Sequence, residues 1–320
     1  MKNLIQIILN SPDIISSPPV LVDIGASGQL HKKWKLIAKH SICIAFDADE
    51  RKFGFIEKEQ SNFKKLFVYN CIVSDEDKSD QIFYLTKSPY CSSILKPDLN
   101  SLSNYSYADI FQTVNISKLK TISISTAINE LNIKQVDWFK SDSQGLDLRL
   151  FKNLNDGIRK KIIVAEFEPG LIDAYENEDK LFSLLAYLQD KNFWISDFIV
   201  KGVPRISSKL FNSIYSNKRI SKLLSLSLKS APGWVELTMI NSFNDKVDFT
   251  KREYLLGCLF AMIEKQYGFA YELSLKGFEK YKDPIFKEIS KKSLKMIRLQ
   301  LYKLKFLPSV KKRLIELITR

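Results

Sequence analysis

Four side chains in two short blocks have the types and spacing to do chemistry. Lys140 and Asp142 stand two apart in Val136-Asp137-Trp138-Phe139-Lys140-Ser141-Asp142-Ser143-Gln144-Gly145, and Glu166 and Glu168 stand two apart in Lys161-Ile162-Ile163-Val164-Ala165-Glu166-Phe167-Glu168-Pro169-Gly170. In each block an apolar run breaks at polar residues and then at a glycine. Residues two apart on a strand point to the same face. A charged pair on a buried strand is costly without a role. Lys140 and Asp142, with Glu166 and Glu168, are therefore candidates for a functional site. Glu166 and Glu168 with Asp142 could also hold a divalent cation through oxygen ligands, or hydrogen-bond a ligand's ammonium or hydroxyl groups. No tighter metal-binding spacing accompanies them, so no metal is expected.

A second group lies near the N-terminus. Val20-Leu21-Val22-Asp23-Ile24-Gly25-Ala26-Ser27-Gly28 is an apolar run, an acid, and two glycines separated by small residues. Gly25 and Gly28 can take positive φ or let a ligand approach the backbone closely. Leu30, Trp34, Ile37 and Ala38 then recur at helical spacing. The sequence reads as strand, glycine turn, helix, the opening unit of a nucleotide-type α/β fold. Ser41–Asp47 is a second strand ending in an acid, and Asp47 follows Asp23 by 24 residues. Such folds hold ribose hydroxyls with an acid about 20 residues past the turn. Asp49 and Glu50 are close rivals. Leu66–Val73 reads as a third strand, with Ser74 and Asp75 placed to contact an adenine ring. His31 reads as a solvated residue at a helix start.

The remaining elements position these groups. Gln81–Thr86 alternates weakly, as an added strand. Ser88–Ser93 is turn-rich and leads into a polar stretch reaching Asn115, read as a lid or substrate loop. Leu146–Leu154 and Leu181–Leu188 read as helices, and Phe193–Val200 and Trp234–Ile240 as the last two strands. The basic, Ser-rich segment between those strands could shape an acceptor pocket or touch an anionic surface. From Phe249 the pattern is helical only, and Pro308 divides the final stretch. This gives residues 1–244 as one domain and 245–320 as a basic helical extension, with a short amphipathic helix at the N-terminus packed on the first domain.

Composition narrows the class. The chain has 320 residues, 45% of them hydrophobic, enough for a sizeable core. Its net charge of +13 is concentrated in residues 291–320, which hold ten Lys/Arg against Glu316 alone. A basic amphipathic helix there reads as an anchor to an anionic membrane surface. That places the protein in the cytoplasm, peripheral to the inner membrane. The rest of the chain is nearly balanced and carries no RNA- or DNA-binding motif, which disfavours nucleic acid. Cys43, Cys71, Cys91 and Cys258 are scattered and read as thiols of a reducing compartment. No stretch of eighteen apolar residues is present to cross a membrane.

The cofactor class follows from the glycine turn. A pyrophosphate is usually held over G-x-G-x-x-G, and Gly25-Ala26-Ser27-Gly28-Gln29-Leu30 lacks that spacing. S-adenosylmethionine has no phosphate and needs close backbone approach and an acid for its ribose. The blocks Asp23–Gly28, Phe46-Asp47-Ala48-Asp49, Ser92-Ser93 and Phe139–Asp147 together resemble the FkbM-type S-adenosylmethionine-dependent methyltransferases, over roughly Val20 to Ile240. The last block is the most specific, resembling the family's Lys-hydrophobic-Asp-x-Glu/Gln-Gly signature. Gln29, with Gly28 one place early, departs from the family's turn, and Ser141 replaces its usual apolar residue.

The resemblance implies a class I methyltransferase fold: a Rossmann-like α/β domain with a mostly parallel seven-stranded sheet whose last strand runs antiparallel. It implies S-adenosylmethionine as cofactor, held by Asp23, Gly25, Ala26, Ser27, Gly28, Asp47, Ala48, Ser74, Asp75, Ser92 and Gln144. It further implies O-methylation of a sugar hydroxyl in a glycan, glycolipid or surface polysaccharide precursor, for which Asp142, Lys140 and Glu166 are the candidates to assist as general base. The competing readings are a non-catalytic membrane scaffold with a degenerate fold, and an RNA methyltransferase.

Overall fold

A computed structural model describes residues 2–25, 31–46, 62–215 and 217–318. The chain forms two compact units, Pro18–Val247 and the pair of segments Met1–Ser17 and Asp248–Arg320. The strands described, all in the first unit, are β1 (Val20–Ile24), β2 (Ile42–Phe46), β3 (Lys65–Tyr69), β4 (Ile72–Ser74), β5 (Lys78–Thr86), β6 (Thr113–Ser123), β7 (Trp138–Ser141), β8 (Val164–Phe167), β9 (Phe193–Pro204) and β10 (Ser230–Asn241).

Seven of these form one sheet in the order β3-β2-β1-β7-β8-β10-β9. The first five are mutually parallel, and β10 runs antiparallel to both β8 and β9. β1 is buried along its whole length, as a central strand covered on both faces must be, which is why it reads as a nearly unbroken apolar run. From β1 the chain steps outward to β2 and β3, then returns to β1's other side as β7 and continues to β8. The strand order therefore reverses between β1 and β7. In open α/β sheets the carboxyl ends at such a reversal are where ligands bind. The architecture is the Rossmann-like sheet foreseen above.

Three segments differ from the sequence reading. The run Leu66–Val73 is not one strand. Tyr69 pairs with Phe46, the last residue of β2, and stacks on its ring at 5.1 Å between centroids. Ile72–Ser74 instead pairs in parallel with Thr121–Ser123 of β6, in a separate three-stranded sheet of order β4-β6-β5. The polar stretch to Asn115 is not a long loop. It holds a helical turn at Leu99–Leu102, capped by the Asp98 side chain, a 3-10 turn at Ala108–Phe111, and the start of β6. After the glycine turn, Lys32–Leu36 and Ala38–His40 are 3-10 turns, a geometry that three-residue apolar spacing also satisfies.

The second unit is helical: Lys2–Leu9, Pro12–Ser16, Lys251–Ile263, Tyr267–Tyr281 and Pro284–Ile318. Thr250 and Glu253 form a reciprocal capping box at the start of Lys251–Ile263, which is buried almost throughout. Lys251 bridges Asp13 at 2.7 Å and Asp283 at 3.0 Å. Residues 1–17 thus group with the C-terminal helices rather than with the sheet. The last helix runs unbroken through Pro308. Among the described residues no helix is long and apolar enough to cross a membrane.

The sheet's core centres on Phe151, which meets Phe139 and Phe167 edge-on with centroids 5.4 and 5.3 Å apart. Phe151 is fully buried. Phe151→Ala is expected to destabilise the protein by about 3–5 kcal/mol, read as a lowered midpoint in urea unfolding. A loss under 1 kcal/mol would show that this cluster is not the core.

Candidate functional site

Two tight turns build the site at the sheet's reversal. At the end of β1, Gly25 takes φ +75° and donates its amide to the Phe46 carbonyl at 3.1 Å. Beside it, the Asp142 amide donates to the Ile24 carbonyl at 3.0 Å. A Cβ on Gly25 would lie 2.1 Å from the Asp142 carbonyl oxygen, so both conformation and space demand glycine. At the end of β7, Gln144 and Gly145 take φ +56° and +102°. This second turn is braced from within. Buried Asp147 accepts hydrogen bonds from Ser141 Oγ at 2.6 Å, Ser143 N at 3.1 Å, Ser143 Oγ at 2.5 Å and Glu168 N at 2.9 Å. Ser141, a departure from the family pattern, is thus part of the brace.

Asp23, Lys140 and Glu166 lie opposite one another on β1, β7 and β8. Lys140 Nζ donates to Asp23 Oδ1 at 2.8 Å, and Asp23 is completely buried. Its Oδ2 has no hydrogen-bond partner among the described residues. Burial works against the Lys140 ammonium, but Asp23, Asp142 and Glu168 outweigh it and hold its proton well past the usual lysine range.

Two hollows share a wall here. The first is a crevice lined by Ile24, Gly25, Phe46, Ile72, Val73 and Leu146, with Ser92, Ser93, Asp142 and Gln144 as its polar groups. The second, about 300 Å³, lies at the lower end of the roughly 300–1,000 Å³ range of small-molecule sites. Its walls include Tyr107, Phe111, Tyr175 and Trp234, with the carboxyls of Asp142, Glu168 and Glu178. Tyr107 stacks on Trp234 at 6.3 Å and 20°. Tyr90, Asp142 and Gln144 line both hollows. The Gln144 amide donates to Asp142 Oδ1 at 2.5 Å, and the Tyr175 hydroxyl donates toward Gln144 Oε1 and the Cys91 carbonyl, each at 2.9 Å.

The acids of this wall hold protons tightly. Burial pushes Glu168 well above the usual carboxylate range, and the Asp142 charge pushes it further, against the pull of Lys140. Asp142 is also raised by burial, with Lys140 and Gln144 opposing and Asp147 adding to it. Two acids so placed can keep one proton between them near neutrality, the condition for a base that works at ordinary pH.

The structure brings together Gly25, Ser92, Asp142 and Gln144, with Lys140 behind them. It does not bring in Glu166. Burial pushes that carboxyl up, but His31, Lys33 and Trp138 overcome this and hold it below its usual range. His31 Nε2 lies 3.0 Å from Glu166 Oε2, and Trp138 Nε1 donates to Oε1 at 2.8 Å. His31 is therefore packed against a carboxylate and two tryptophans, not solvated. Glu168, just past the end of β8, lines the second hollow instead. The sequence held a signal for this: Pro169-Gly170 breaks the apolar run directly after Glu168. Ser74 and Asp75 end β4 in the smaller sheet, where Ser74 Oγ donates to Asp75 Oδ1 and the Asp75 carbonyl accepts from Asn153. Cys71, Ile72 and Val73 line the crevice in their stead. Ala26, Ser27, Gly28, Asp47 and Ala48 lie outside the described residues, as do Gln29, Asp49 and Glu50.

The sequence pattern of the methyltransferase FkbM domain matches residues 30–194, more than half of the chain. No curated protein gives a significant match.

The raised Glu168 carboxyl has a consequence for stability. A folded-state value above the unfolded one stabilises at low pH, and that contribution is lost as pH rises through the folded value. Glu168→Gln cannot ionise and escapes the loss. Its melting temperature is expected to gain on wild type steadily from mildly acidic to mildly alkaline pH. A constant difference across that range would contradict the assignment.

Proposed function

The chain belongs to the FkbM methyltransferase domain family and is a methyltransferase, and we propose that it moves a methyl group from S-adenosylmethionine to a sugar hydroxyl. The observation that carries this reading is the wall shared by the two hollows, with Asp142 and Glu168 on its acceptor side. The crevice suits the cofactor. Its apolar side, Phe46, Ile72, Val73 and Leu146, accepts an adenine ring, and Gly25 leaves the backbone bare where a Cβ would close the approach. Ser92 and Gln144 face the same space, and the sequence pattern assigns the ribose to Asp47 and adds Ala26, Ser27, Gly28 and Ala48 to the binding set. When bound, the cofactor supplies an electrophilic methyl on a sulfonium.

The remaining work belongs to the chain. The stacked Tyr107 and Trp234 offer ring faces whose negative quadrupole attracts the polarised C–H bonds of a sugar. The carboxyls accept from its hydroxyls and orient one of them towards the crevice. Alignment of nucleophile and electrophile can supply much of the acceleration. Glu168, with Asp142, takes the proton of the attacking hydroxyl. Lys140 keeps the neighbouring negative charge from closing on itself and, tied to Asp23, holds Asp142 in register. The carboxylate-lined cavity favours a neutral sugar ring over a phosphate-bearing one, in keeping with a glycan, glycolipid or surface polysaccharide precursor. The basic stretch 291–320, carried by the last helix as far as Ile318, would hold the enzyme to the inner face of an anionic membrane.

Calorimetry with S-adenosylmethionine is expected to show saturable binding, weakened in Asp47→Ala by about 1.5–3 kcal/mol for a lost charged hydrogen bond. An absence of binding by wild type would contradict the cofactor assignment. Glu168→Gln is expected to lower kcat on a sugar acceptor by about 100-fold or more, with cofactor affinity unchanged. Wild-type kcat should rise with pH through a midpoint above the ordinary carboxylate range, and that rise should vanish in the variant. An unaltered profile would remove Glu168 from the role of base.

A further inference from the structure

Residues 198–235 hold seven Lys/Arg and no Asp or Glu. They form the end of β9, two helices at Ser208–Ile214 and Lys218–Ser227, and the start of β10. This hairpin turns apolar side chains outward. In Lys218–Ser227, Leu223 and Leu226 are 65% and 76% exposed, with Ile220 at 43%, while Leu224 is half-buried with Ser221 and Ser225. In Ser208–Ile214 only Phe211 is buried, and Leu210 and Ile214 are exposed. A helix docked on its own domain would turn its leucines inward and its serines out. Scattered exposed apolar residues are ordinary. Ile220, Leu223 and Leu226 recur at i, i+3 spacing and so form one exposed row along their helix, which marks a surface that meets something.

Charge narrows what it meets. A second copy presenting the same face would set one acid-free basic patch against another, and self-association through it is disfavoured. A polyanion alone would use the Lys and Arg residues but has no use for outward leucines. Leucines together with a wholly basic flank fit a surface that is apolar within and anionic at its edge. We propose that the hairpin 205–229 is an interfacial anchor that lies on an anionic lipid bilayer, independently of the basic C-terminal stretch. The hairpin stands beside the acceptor cavity. Ser208 Oγ donates to Asp109 Oδ1 at 3.0 Å, next to Ile110 and Phe111 of the cavity wall, and β10 carries Gly233 and Trp234 into that wall. Resting on the sugar-acceptor reading, this location means the acceptor is a glycan carried on a membrane lipid, presented at the bilayer surface.

The test is flotation of the full-length protein with vesicles of phosphatidylcholine mixed with phosphatidylglycerol, and with vesicles of phosphatidylcholine alone. Wild type is expected to float with the anionic vesicles and only weakly with the neutral ones. The double variant Leu223→Ser/Leu226→Ser keeps every charge, including those of the C-terminal stretch. It is expected to lose about tenfold or more in partitioning, since each buried methylene contributes to membrane affinity. Cofactor binding by calorimetry serves as the folding control and reports separately on the methyltransferase reading. Unchanged flotation of the variant, no flotation of wild type, or a concentration-dependent dimer in sedimentation that the variant abolishes would each overturn the proposal.

Discussion

Three carboxyls converge on one buried ammonium, and the rest of the site depends on that imbalance. Lys140 is tied to Asp23 on the neighbouring strand and so is only partly available to Asp142 and Glu168. Those two acids are left partly buried, near each other, with less positive charge than negative. In such surroundings both hold their protons more tightly than free carboxyls, Glu168 the more so. The same imbalance makes the site attractive to a cation and able to accept a proton near neutral pH. It works against folding stability under the conditions where it serves chemistry, as strained functional sites commonly do.

The scaffold exists to keep these charges where they are. The parallel ladder sets Asp23 opposite Lys140, and the two glycine turns let β1 and β7 end at the same height. Asp147 fixes the second turn with three hydrogen bonds and holds the Glu168 amide with a fourth. One buried acid thereby links the turn after β7 to the end of β8, and Glu168 to the wall between the two hollows. Beyond that wall, the stacked Tyr107 and Trp234 come from segments more than a hundred residues apart in sequence. The second hollow is accordingly a product of the whole sheet.

Much of this was legible before the structure. The unbroken apolar run at β1, the glycine turn and the Lys140–Gly145 block located the reversal point, because central parallel strands and ligand turns have compositions that surface elements lack. What could not be read was partner choice. Glu166 and Glu168 have the same strand spacing and the same type, yet the indole of Trp138 and the ring of His31 engage one and leave the other facing the cavity. The division of Leu66–Val73 between two sheets has no glycine or proline to announce it. It shows only in the pairing of Ile72–Ser74 with Thr121–Ser123, a segment some fifty residues further on. The passage of the last helix through Pro308 likewise ran against local propensity, which disfavours a proline inside a helix.

The most direct measurement is the titration of Glu168 itself, by carbon NMR of protein labelled at the glutamate side-chain carboxyls and assigned with Glu168→Gln. One resonance, missing in that variant, should titrate well above the range of the other glutamates. In Asp142→Asn it should move part of the way back, because burial remains while the neighbouring charge is gone. If every glutamate carboxyl titrates in the ordinary range, or the Glu168 resonance ignores the loss of Asp142, the account of a charge-starved proton acceptor is wrong.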